Sequence, residues 1–464
     1  MSAGTPLRSD LKRDSHRAPE SRISTLPTGV SSYEEAIGFL YGLQSFGIKL
    51  GLHNIRFLLK KLGDPHRRFR VIHVAGTNGK GSTASMIAAI LTAAGRKTAL
   101  YTSPHLVDFT ERMRVDGRAV SKESVVQWTH VLEADVQRIS ATFFETVTAM
   151  AFAWFAEERV DWAVVETGLG GRLDATNVVH PELTVLTSIG KEHTAILGRT
   201  FTAIAREKAG ILKHSIPCIC GVERRAAADV IRSTAKSLRA PIRWSTAGRV
   251  VLRRQDIEHV HLDVDGPYGR WKNLEVGLGG KYQIKNVRLA LLAVHVLNAR
   301  KALSIPESAV RTGLRRVKEL SGIRGRMSVV HRQPRILVDV AHNPDAMREL
   351  AAALRAMDLK RLHVVFGVAR DKDVRSMARA LKPCVVDVMI VAARTPRSVP
   401  AEELLAIFHS MGIDATVARS VEDAVRTLRD GSDPTSTILV TGSHFVAGEA
   451  VAFLEGREYL TISQ

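Results

Sequence analysis

The sequence predicts an α/β fold in which two parallel sheets are each covered by helices. In the first part of the chain, short apolar runs alternate with helical patterns; the runs lie at residues 71–74, 98–101, 162–166, 184–187 and 217–220. This alternation is typical of parallel sheets, because each crossover between parallel strands usually needs a helix. The chain has 464 residues, 45% of them hydrophobic, which is enough to fill more than one core.

The alternation restarts near residue 322, and the restart predicts a second unit. Its apolar runs lie at residues 335–338, 362–366, 385–391, 415–417 and 437–440. Helical patterns follow them, starting near Asp345, Asp373, Pro400 and Val421. We therefore expect a C-terminal, doubly wound, Rossmann-like domain at residues 325–464.

Two further segments complete the predicted organisation. Residues 1–30 are rich in Ser, Thr, Pro and Arg without apolar periodicity, which predicts a disordered tail. Residues 240–280 change character and suggest a few antiparallel strands or a β-rich insertion, followed by a helix over 283–300. The first folded domain should therefore cover residues 31–324.

The net charge of +19 raises nucleic acid as a partner, but the basic residues are dispersed. The sequence has no zinc-finger pattern and no RNA-binding signature, and aromatic residues make up only 5% of it. A basic surface of this kind also attracts small polyanions. We therefore expect no nucleic-acid partner.

The cysteine content and the hydropathy of the chain indicate the cellular compartment of the protein. The three cysteines, Cys218, Cys220 and Cys384, are too few and too unevenly spaced for a disulfide framework. No apolar run approaches the ~20 residues needed to span a bilayer. We expect a cytoplasmic protein that has no membrane partner and is a monomer.

The most informative motif begins in the first apolar run, where a strand leads into a glycine-rich turn. The turn consists of Thr77, Asn78, Gly79, Lys80, Gly81 and Ser82. Backbone N–H groups of such a turn wrap phosphates, its lysine reaches the outer phosphates, and its hydroxyl can hold Mg²⁺. The strict phosphate-loop pattern is not met, since Val74 replaces its first glycine and Gly81 separates the lysine from the serine. We predict a variant phosphate loop that binds ATP with Mg²⁺, in front of a helix over 83–94.

Three more groups of the first domain are candidates for the site. Glu166 ends a predicted strand and begins a glycine-rich segment, where it can coordinate Mg²⁺, although a hinge turn with a solvated carboxylate explains it equally well. His193 closes the next strand and could be a metal ligand or orient a phosphate, although a lone histidine in a loop is usually neither. Lys208 lies on a predicted helix among small and apolar neighbours. Such a lysine is normally on the surface, but burial near a metal would lower its pKa and make the amine reactive.

In the second domain, functional groups are expected in two loops at strand ends. The first loop runs from Asp339 to Asp345, and the second contains Gly442, Ser443 and His444.

Together these segments resemble the folylpolyglutamate synthase / dihydrofolate synthase family of the Mur ligase superfamily. The similarity runs from about residue 33 to 455, and its motifs occur in a fixed order: AGTNGKGS, SPHL followed by ERM, FFETVTAMAF, ETGLGGRLDATN, IGKEHTAILGRT, AREKAGILK, QIKN, GIRGRM, VDVAHNPDA, FGVARDKD and TGSHF. The phosphate loop alone would not separate this family from cell-wall Mur ligases, whereas SPHL and FFE favour the folate branch.

The resemblance implies roles for individual residues. Lys80 and Ser82 would hold ATP and magnesium, Glu166 and His193 would complete the metal shells, and Lys208 matches a lysine that the family carbamylates. Lys80, His193 and Lys208 would form the catalytic set. Nucleotide contacts would come from Asn286, Arg326 and Asp339. The substrates, folate or dihydropteroate and L-glutamate, would meet Phe144, Leu173, Asp174, Ala175, His342 and Ser443.

This chain departs from the family pattern at the pterin-site segment. The common I-D-L-G-L-x-R becomes residues 48–54 with Lys49 in place of the acid and Asn54 in place of the arginine. We therefore expect extension of folates to be the stronger activity, with Asp174 as the candidate that supports dihydropteroate. The usual Asp before the metal-shell histidine is Glu192 here.

The implied reaction is an ATP-dependent ligation through an acyl phosphate, because a carboxylate is a poor acyl donor until it is phosphorylated. Two other classes stay open: a Mur-type cell-wall or cyanophycin-like ligase, and a nucleic-acid-dependent ATPase suggested by charge alone. Glutamate-dependent ADP release separates the ligases from the ATPase.

Overall fold

The computed structural model describes residues 29–47, 49 and 51–460. The predicted tail at residues 1–30 therefore lies outside the described residues except for its last two positions. Within the described part, the strands form three sheets, of eight, three and six strands.

The eight-stranded sheet is the centre of the first half of the chain. Its order is β4-β3-β2-β5-β1-β6-β7-β8, with β2, β5, β1, β6, β7 and β8 parallel and β3 and β4 antiparallel at one edge. The strands are β1 (Arg70–Ala75), β2 (Thr98–Tyr101), β3 (Met113–Val115), β4 (Arg118–Ala119), β5 (Trp162–Glu166), β6 (Leu183–Leu186), β7 (Cys218–Cys220) and β8 (Ile242–Trp244).

Helices cover both faces of this sheet, because alternate residues of each strand point to opposite sides. On β1, Ile72 and Val74 join one apolar cluster and Val71 joins another. The helices of this half are α1 (Tyr33–Gly42), α2 (His53–Lys61), α3 (Lys80–Ala93), α4 (Lys122–Ile139), α5 (Phe143–Glu157), α6 (Thr194–Leu197), α7 (Phe201–Ala209), α8 (Arg225–Ser237), α9 (Gln283–Ala299), α10 (Glu307–Arg315) and α11 (Val317–Ser321).

The predicted β-rich insertion is a small antiparallel sheet of order β11-β10-β9. Its strands are β9 (Arg249–Gln255), β10 (Val260–Gly266) and β11 (Gly269–Val276). Its buried residues, among them Leu262 and Leu274, share an apolar cluster with α3 and α9. The insertion therefore packs on the helical layer that carries the phosphate loop.

The second half of the chain forms a six-stranded sheet of order β12-β13-β17-β14-β15-β16. All neighbouring pairs are parallel except β12 with β13. The strands are β12 (Ser328–Arg332), β13 (Arg335–Val338), β14 (Leu362–Phe366), β15 (Val385–Ile390), β16 (Ala415–Val417) and β17 (Thr437–Thr441). The helices are α12 (Pro344–Ala356), α13 (Val374–Leu381), α14 (Ala401–Ser410), α15 (Val421–Gly431) and α16 (His444–Leu454).

The fold class predicted from the sequence is confirmed, with two corrections of detail. The second sheet carries an antiparallel edge strand, β12, that the apolar pattern did not predict. Helix α3 begins at Lys80 and not at residue 83, so Lys80 is the first helical residue and not part of an exposed loop. No helix of the described chain has the length and apolar character required to cross a lipid bilayer.

Candidate active site

The phosphate loop lies between the end of β1 and the start of α3. Gly76 and Gly79 have φ angles of 155° and 85°, and a methyl group on Gly79 would lie only 2.5 Å from Asn286 Oδ1. Both the backbone conformation and the tight contact therefore require glycine at position 79. Gly79 is also the N-cap of α3 and supplies no side-chain hydrogen bond, so first-turn N–H groups are available to an anion.

Glu166 lies beside this loop because β5 pairs in parallel with β1, with Glu166 opposite Val74. The carboxylate is buried; Lys80 Nζ is 4.0 Å away, and the N–H of Ser103 donates to it over 3.4 Å. Burial raises the pKa of Glu166, although the charges of Lys80 and Arg326 act in the opposite direction. A buried carboxylate that has one long ion pair, to Lys80, keeps lone pairs that suit a metal ion.

Lys208 lies behind the phosphate loop. Its side chain is buried, and Nζ donates a hydrogen bond of 2.8 Å to the carbonyl oxygen of Gly76. Burial and the nearby charge of Lys80 lower the pKa of Lys208 to about 7. A substantial share of this amine is therefore neutral near pH 7 and able to act as a nucleophile.

His193 precedes α6 in a left-handed backbone conformation, and burial lowers its pKa to about 4. Its neighbour Glu192 reaches the second domain, where it contacts His342 Nε2 at 2.9 Å and Lys372 Nζ at 3.1 Å. Burial opposes ionisation of Glu192, but the hydrogen bond from His342 and the charge of Lys372 outweigh it and hold the pKa of Glu192 well below its usual value. The contacts of Glu192 with His342 and Lys372 therefore link the first domain to the second beside the phosphate loop.

A second link between the domains is made by two side-chain amides. Asn78 Nδ2 donates to Asn343 Oδ1 over 3.2 Å, and Asn343 Nδ2 donates to Asn78 Oδ1 over 2.9 Å. Asn343 is also the N-cap of α12, since its Oδ1 accepts from the N–H of Ala346. The phosphate loop is thus bonded directly to the start of a helix in the second domain.

The three predicted nucleotide contacts surround the same loop. Asn286 lies against Gly79, and its Oδ1 accepts from the Thr83 hydroxyl. Arg326 Nη2 lies 3.8 Å from where a methyl group on Gly81 would be, and among the described residues its buried Nε has no partner. Asp339 accepts from the backbone N–H of Met327 at 2.9 Å. An unsatisfied guanidinium N–H beside a phosphate loop fits an anionic ligand.

Asp174 and its neighbours Leu173 and Ala175 lie on the segment that follows Glu166. The Asp174 carboxylate accepts from the N–H groups of Leu169 and Thr176 and from the Thr176 hydroxyl. Thr176 Oγ1 lies 2.8 Å from Nε2 of the buried His73, whose pKa is lowered to about 3 by burial. Asp174 therefore organises this segment; its predicted contact with substrate stays a prediction.

An aromatic group that sequence analysis left without a role forms another part of the site. The rings of Tyr41 and His105 stack at 6.4 Å, and Phe143 lies 5.8 Å from Tyr41. The guanidinium of the buried Arg112 lies 5.1 Å from the centre of the Phe143 ring, and its Nε donates to His105 Nδ1. His105 Nε2–H can then donate to the Tyr41 oxygen, which leaves the Tyr41 hydroxyl hydrogen for a ligand.

His105 and Arg112 lie in the SPHL and ERM motifs, so their position just after β2 was the signal that could have identified them. Nothing comparable in the sequence singles out Tyr41, which comes from α1.

The two predicted groups of the second domain lie close together. Ser443 Oγ accepts from the N–H of Val446 and caps α16. The next residue, His444, is half-buried, with its ring 4.9 Å from that of His342. Burial and the nearby charges of His342 and Arg326 hold the pKa of His444 well below its usual value.

One cavity of about 1310 Å³ joins these groups. We call its two parts the charged end, which contains residues 77–82, Glu166 and Arg326, and the aromatic end, which contains Tyr41, His105, Arg112, Phe143 and Phe144. Every predicted site residue lines the cavity except Lys208, which is buried behind Gly76; the residues that do so are Thr77, Asn78, Gly79, Lys80, Gly81, Ser82, Phe144, Glu166, Leu173, Asp174, Ala175, His193, Asn286, Arg326, Asp339, His342 and Ser443.

Comparison with known proteins assigns the class. The model of the Mur ligase middle domain matches residues 74–294, and the model of the Mur ligase glutamate ligase domain matches residues 325–444. Fold and site thus define a Mur ligase. The dihydrofolate synthase/folylpolyglutamate synthase of Bacillus subtilis is 33% identical over 428 residues, which are 89% of this chain and 97% of that protein. This chain belongs to the folylpolyglutamate synthase / dihydrofolate synthase family, and the predicted family of ATP-dependent ligases is confirmed.

Two further comparisons agree. A probable bifunctional folylpolyglutamate synthase/dihydropteroate synthase of Haloferax volcanii is 36% identical over 433 residues, which are 90% of this chain; the chain spans only 50% of that longer protein. The structure described as E. coli FolC in complex with DHPP and ADP superimposes with a TM-score of 0.82 at 31% identity, over 93% of this chain and 99% of that one.

Proposed function

We propose that this chain uses ATP and Mg²⁺ to join L-glutamate to a carboxylate of a folate-type acceptor. The observation that carries this proposal is the single cavity, which holds a phosphate loop at its charged end and stacked rings at its aromatic end. Planar rings bind well on aromatic side chains, and phosphates bind at helix N-termini. The complex of the E. coli relative with DHPP and ADP supports the same pairing of ligands.

The residues present fit a magnesium ion that is shared with ATP. Among the described residues, no three His, Cys, Asp or Glu side chains cluster to form a complete metal cage. Magnesium is usually held by one or two carboxylates together with phosphate oxygens and water, so a complete protein cage is not required. Ser82, Glu166 and His193 would supply ligands, and Lys208 would add one if its neutral amine carried a carbamate. Bound there, the metal would neutralise charge that develops on the transferred phosphoryl group.

The chemistry follows from the charged end. An acceptor carboxylate oxygen would bond to the terminal phosphorus of ATP while the bond to ADP breaks, with Lys80 and the first-turn amides of α3 stabilising the charge. The amino group of glutamate would then attack the acyl carbon, phosphate would leave, and the nitrogen would lose a proton. His342 and Ser443 of the second domain, which line the same cavity, would contact the glutamate.

Within this function, we propose that folate extension is stronger than dihydrofolate synthesis. Lys49 Nζ donates to the carbonyl oxygen of Ser140, and Asn54 Nδ2 contacts Glu145 Oε2 at 3.3 Å. Neither Lys49 nor Asn54 has a carboxylate that could accept hydrogen bonds from the N–H groups of a pterin. Losing a charge-assisted hydrogen bond costs about 1.5–3 kcal/mol, roughly a ten- to hundredfold effect on kcat/KM.

The deciding experiment measures glutamate-dependent ADP release with a panel of acceptors. The panel contains dihydropteroate, tetrahydrofolate, its one-carbon forms and a UDP-sugar peptide, and mass spectrometry checks for one added glutamyl unit. We expect turnover with folates and none with the peptide. ADP release at the same rate with and without glutamate would contradict the proposal that the protein is a ligase. A clear preference for dihydropteroate would contradict the proposal that folate extension is the stronger activity. The monomeric state, the cytoplasmic location and the domain boundary at residue 324 stay predictions.

A further inference from the structure

The last described residues cross from the second domain to the first. Helix α16 ends at Leu454, and residues 455–460 continue as a segment that we call the C-terminal tail. Arg457 lies 3.5 Å from Asp108 of the first domain, and Leu460 packs against an apolar cluster that includes Phe109 and against which Phe143 also packs. The tail is therefore anchored on the first domain although its helix belongs to the second.

Two tail residues form part of the cavity wall. Tyr459 and Leu460 both line the cavity that contains the charged and aromatic ends. The Tyr459 ring lies on Gly448 of α16, where a methyl group would meet the ring at 2.7 Å and its hydroxyl oxygen at 2.9 Å. The missing side chain at Gly448 thus makes the space that the tyrosine ring occupies.

The tyrosine shares the cavity with the residues of the aromatic end. Tyr459 lines the same cavity as Tyr41 and Arg112. Burial raises the pKa of Tyr459; the charges of Glu449, Tyr41 and Glu111 raise it further, while that of Arg112 lowers it. A ligand in this part of the cavity would therefore meet polar groups as well as aromatic rings.

The tail also lies beyond the matched domain models. The models of the Mur ligase middle domain and of the glutamate ligase domain end at residues 294 and 444, so residues 455–460 belong to neither.

We propose that Tyr459 and Leu460 form one wall of the acceptor site and determine which ring system the aromatic end accepts. This inference rests on the proposed function, in which the acceptor is folate-type. The tyrosine ring supplies a flat apolar surface for a planar heterocycle, its hydroxyl supplies a polar contact, and the leucine closes the wall against the first domain.

The test compares Tyr459→Ala, Tyr459→Phe and Leu460→Ala with Glu458→Ala, an exposed position in the same tail. For each full-length variant, KM and kcat are measured for acceptor, ATP and glutamate. We expect Tyr459→Ala and Leu460→Ala to raise the acceptor KM about three- to tenfold and to leave the other two KM values within about twofold. Tyr459→Phe should keep most of the affinity but change the preference among the folate forms, and Glu458→Ala should match the wild type.

Each other result has a distinct meaning. Equal rises in all three KM values, or a loss of kcat alone, would show that the tail tethers the domains and is not a wall. Unchanged acceptor KM in all variants would overturn the inference while the proposed function stands. A wild type that shows no glutamate-dependent turnover of any folate would overturn both. Thermal unfolding of every variant identifies misfolding, and Tyr459→Phe keeps the test valid if the alanine variant does not fold.

Discussion

The two ends of the cavity are built in different ways. The charged end comes mostly from segments at the ends of parallel strands: the phosphate loop follows β1, and Glu166 ends β5, whereas Arg326 lies between α11 and β12. The aromatic end is assembled from α1, the segment after β2 and the start of α5. One end is therefore fixed by the sheet, and the other depends on packing between distant segments.

The difference separates two kinds of binding. Charges that are fixed at strand ends act on a developing phosphoryl charge and should govern turnover. If the acceptor binds as proposed, the stacked rings would contact it before and during the reaction alike, so they should govern the acceptor KM. Mutations at the charged end should therefore change mainly kcat, and mutations at the aromatic end should change mainly the acceptor KM.

The largest effect is expected for Lys80→Met, which keeps the length of the side chain and removes its charge. We expect kcat to fall about 10²–10³-fold, because the ammonium acts on charge in the transition state. The melting temperature should change little, since the only protein hydrogen bond of Nζ is to the Thr77 carbonyl among the residues described. Steady-state kinetics and thermal unfolding check both statements; near-normal turnover would remove Lys80 from the catalytic set.

Lys208 should show the next largest effect. If its amine carries a carbamate, Lys208→Ala should lower kcat about a hundredfold, and Lys208→Glu should retain more activity than Lys208→Arg, because only glutamate supplies a carboxylate. Incubation with carbon-13 bicarbonate should add a carbamate signal to wild type alone. If that signal is absent and Lys208→Arg is fully active, the role of Lys208 is limited to its hydrogen bond to the carbonyl oxygen of Gly76.

At the aromatic end, Phe143→Ala should raise the acceptor KM about three- to tenfold while the KM for ATP stays within about twofold. Phe57→Ala is the matched control, because Phe57 is also partly buried in the first-domain core but does not line the cavity. A larger change in kcat than in acceptor KM for Phe143→Ala would break the distinction between the two ends.

The smallest effect concerns His73, which supports Thr176 and hence the segment between the two ends. Its pKa is lowered from an unfolded value of about 6.5 to about 3 by burial, so the folded state binds fewer protons between these pH values. Stability from this group is present above pH 6.5 and is lost as the pH falls towards 3, by about 2 kcal/mol at pH 5. His73→Gln keeps a donor for Thr176 without titrating.

Urea unfolding at pH 7 should therefore be similar for wild type and His73→Gln, whereas at pH 5 the variant should lose about 2 kcal/mol less. Parallel losses in the two proteins would assign the acid sensitivity to other histidines whose pKa is lowered, such as His105 and His444.

The sequence predicts the charged end well because its residues are contiguous or follow strands directly. The runs 98–101, 162–166 and 335–338 coincide with β2, β5 and β13. The predicted start of α3 is three residues too late, because Gly81 disfavours helix although the helix begins at Lys80. At the aromatic end, the family resemblance predicts Phe144 but not Tyr41. Tyr41 comes from α1 and meets His105 and Phe143 only when segments distant in sequence pack together.

The amide pair of Asn78 and Asn343 has a consequence for timing. Each side chain gives one hydrogen bond and takes one, and both can be hydrated when the domains part, so the pair adds only about 1–3 kcal/mol to docking. It is too weak to hold the domains together. Thr187 and Ser188 of the first domain hold the backbone of Asn78, so the second domain bonds only to its side chain. We therefore expect ATP to meet a loop backbone that is already shaped, with the Asn78 side chain fixed only when the second domain arrives.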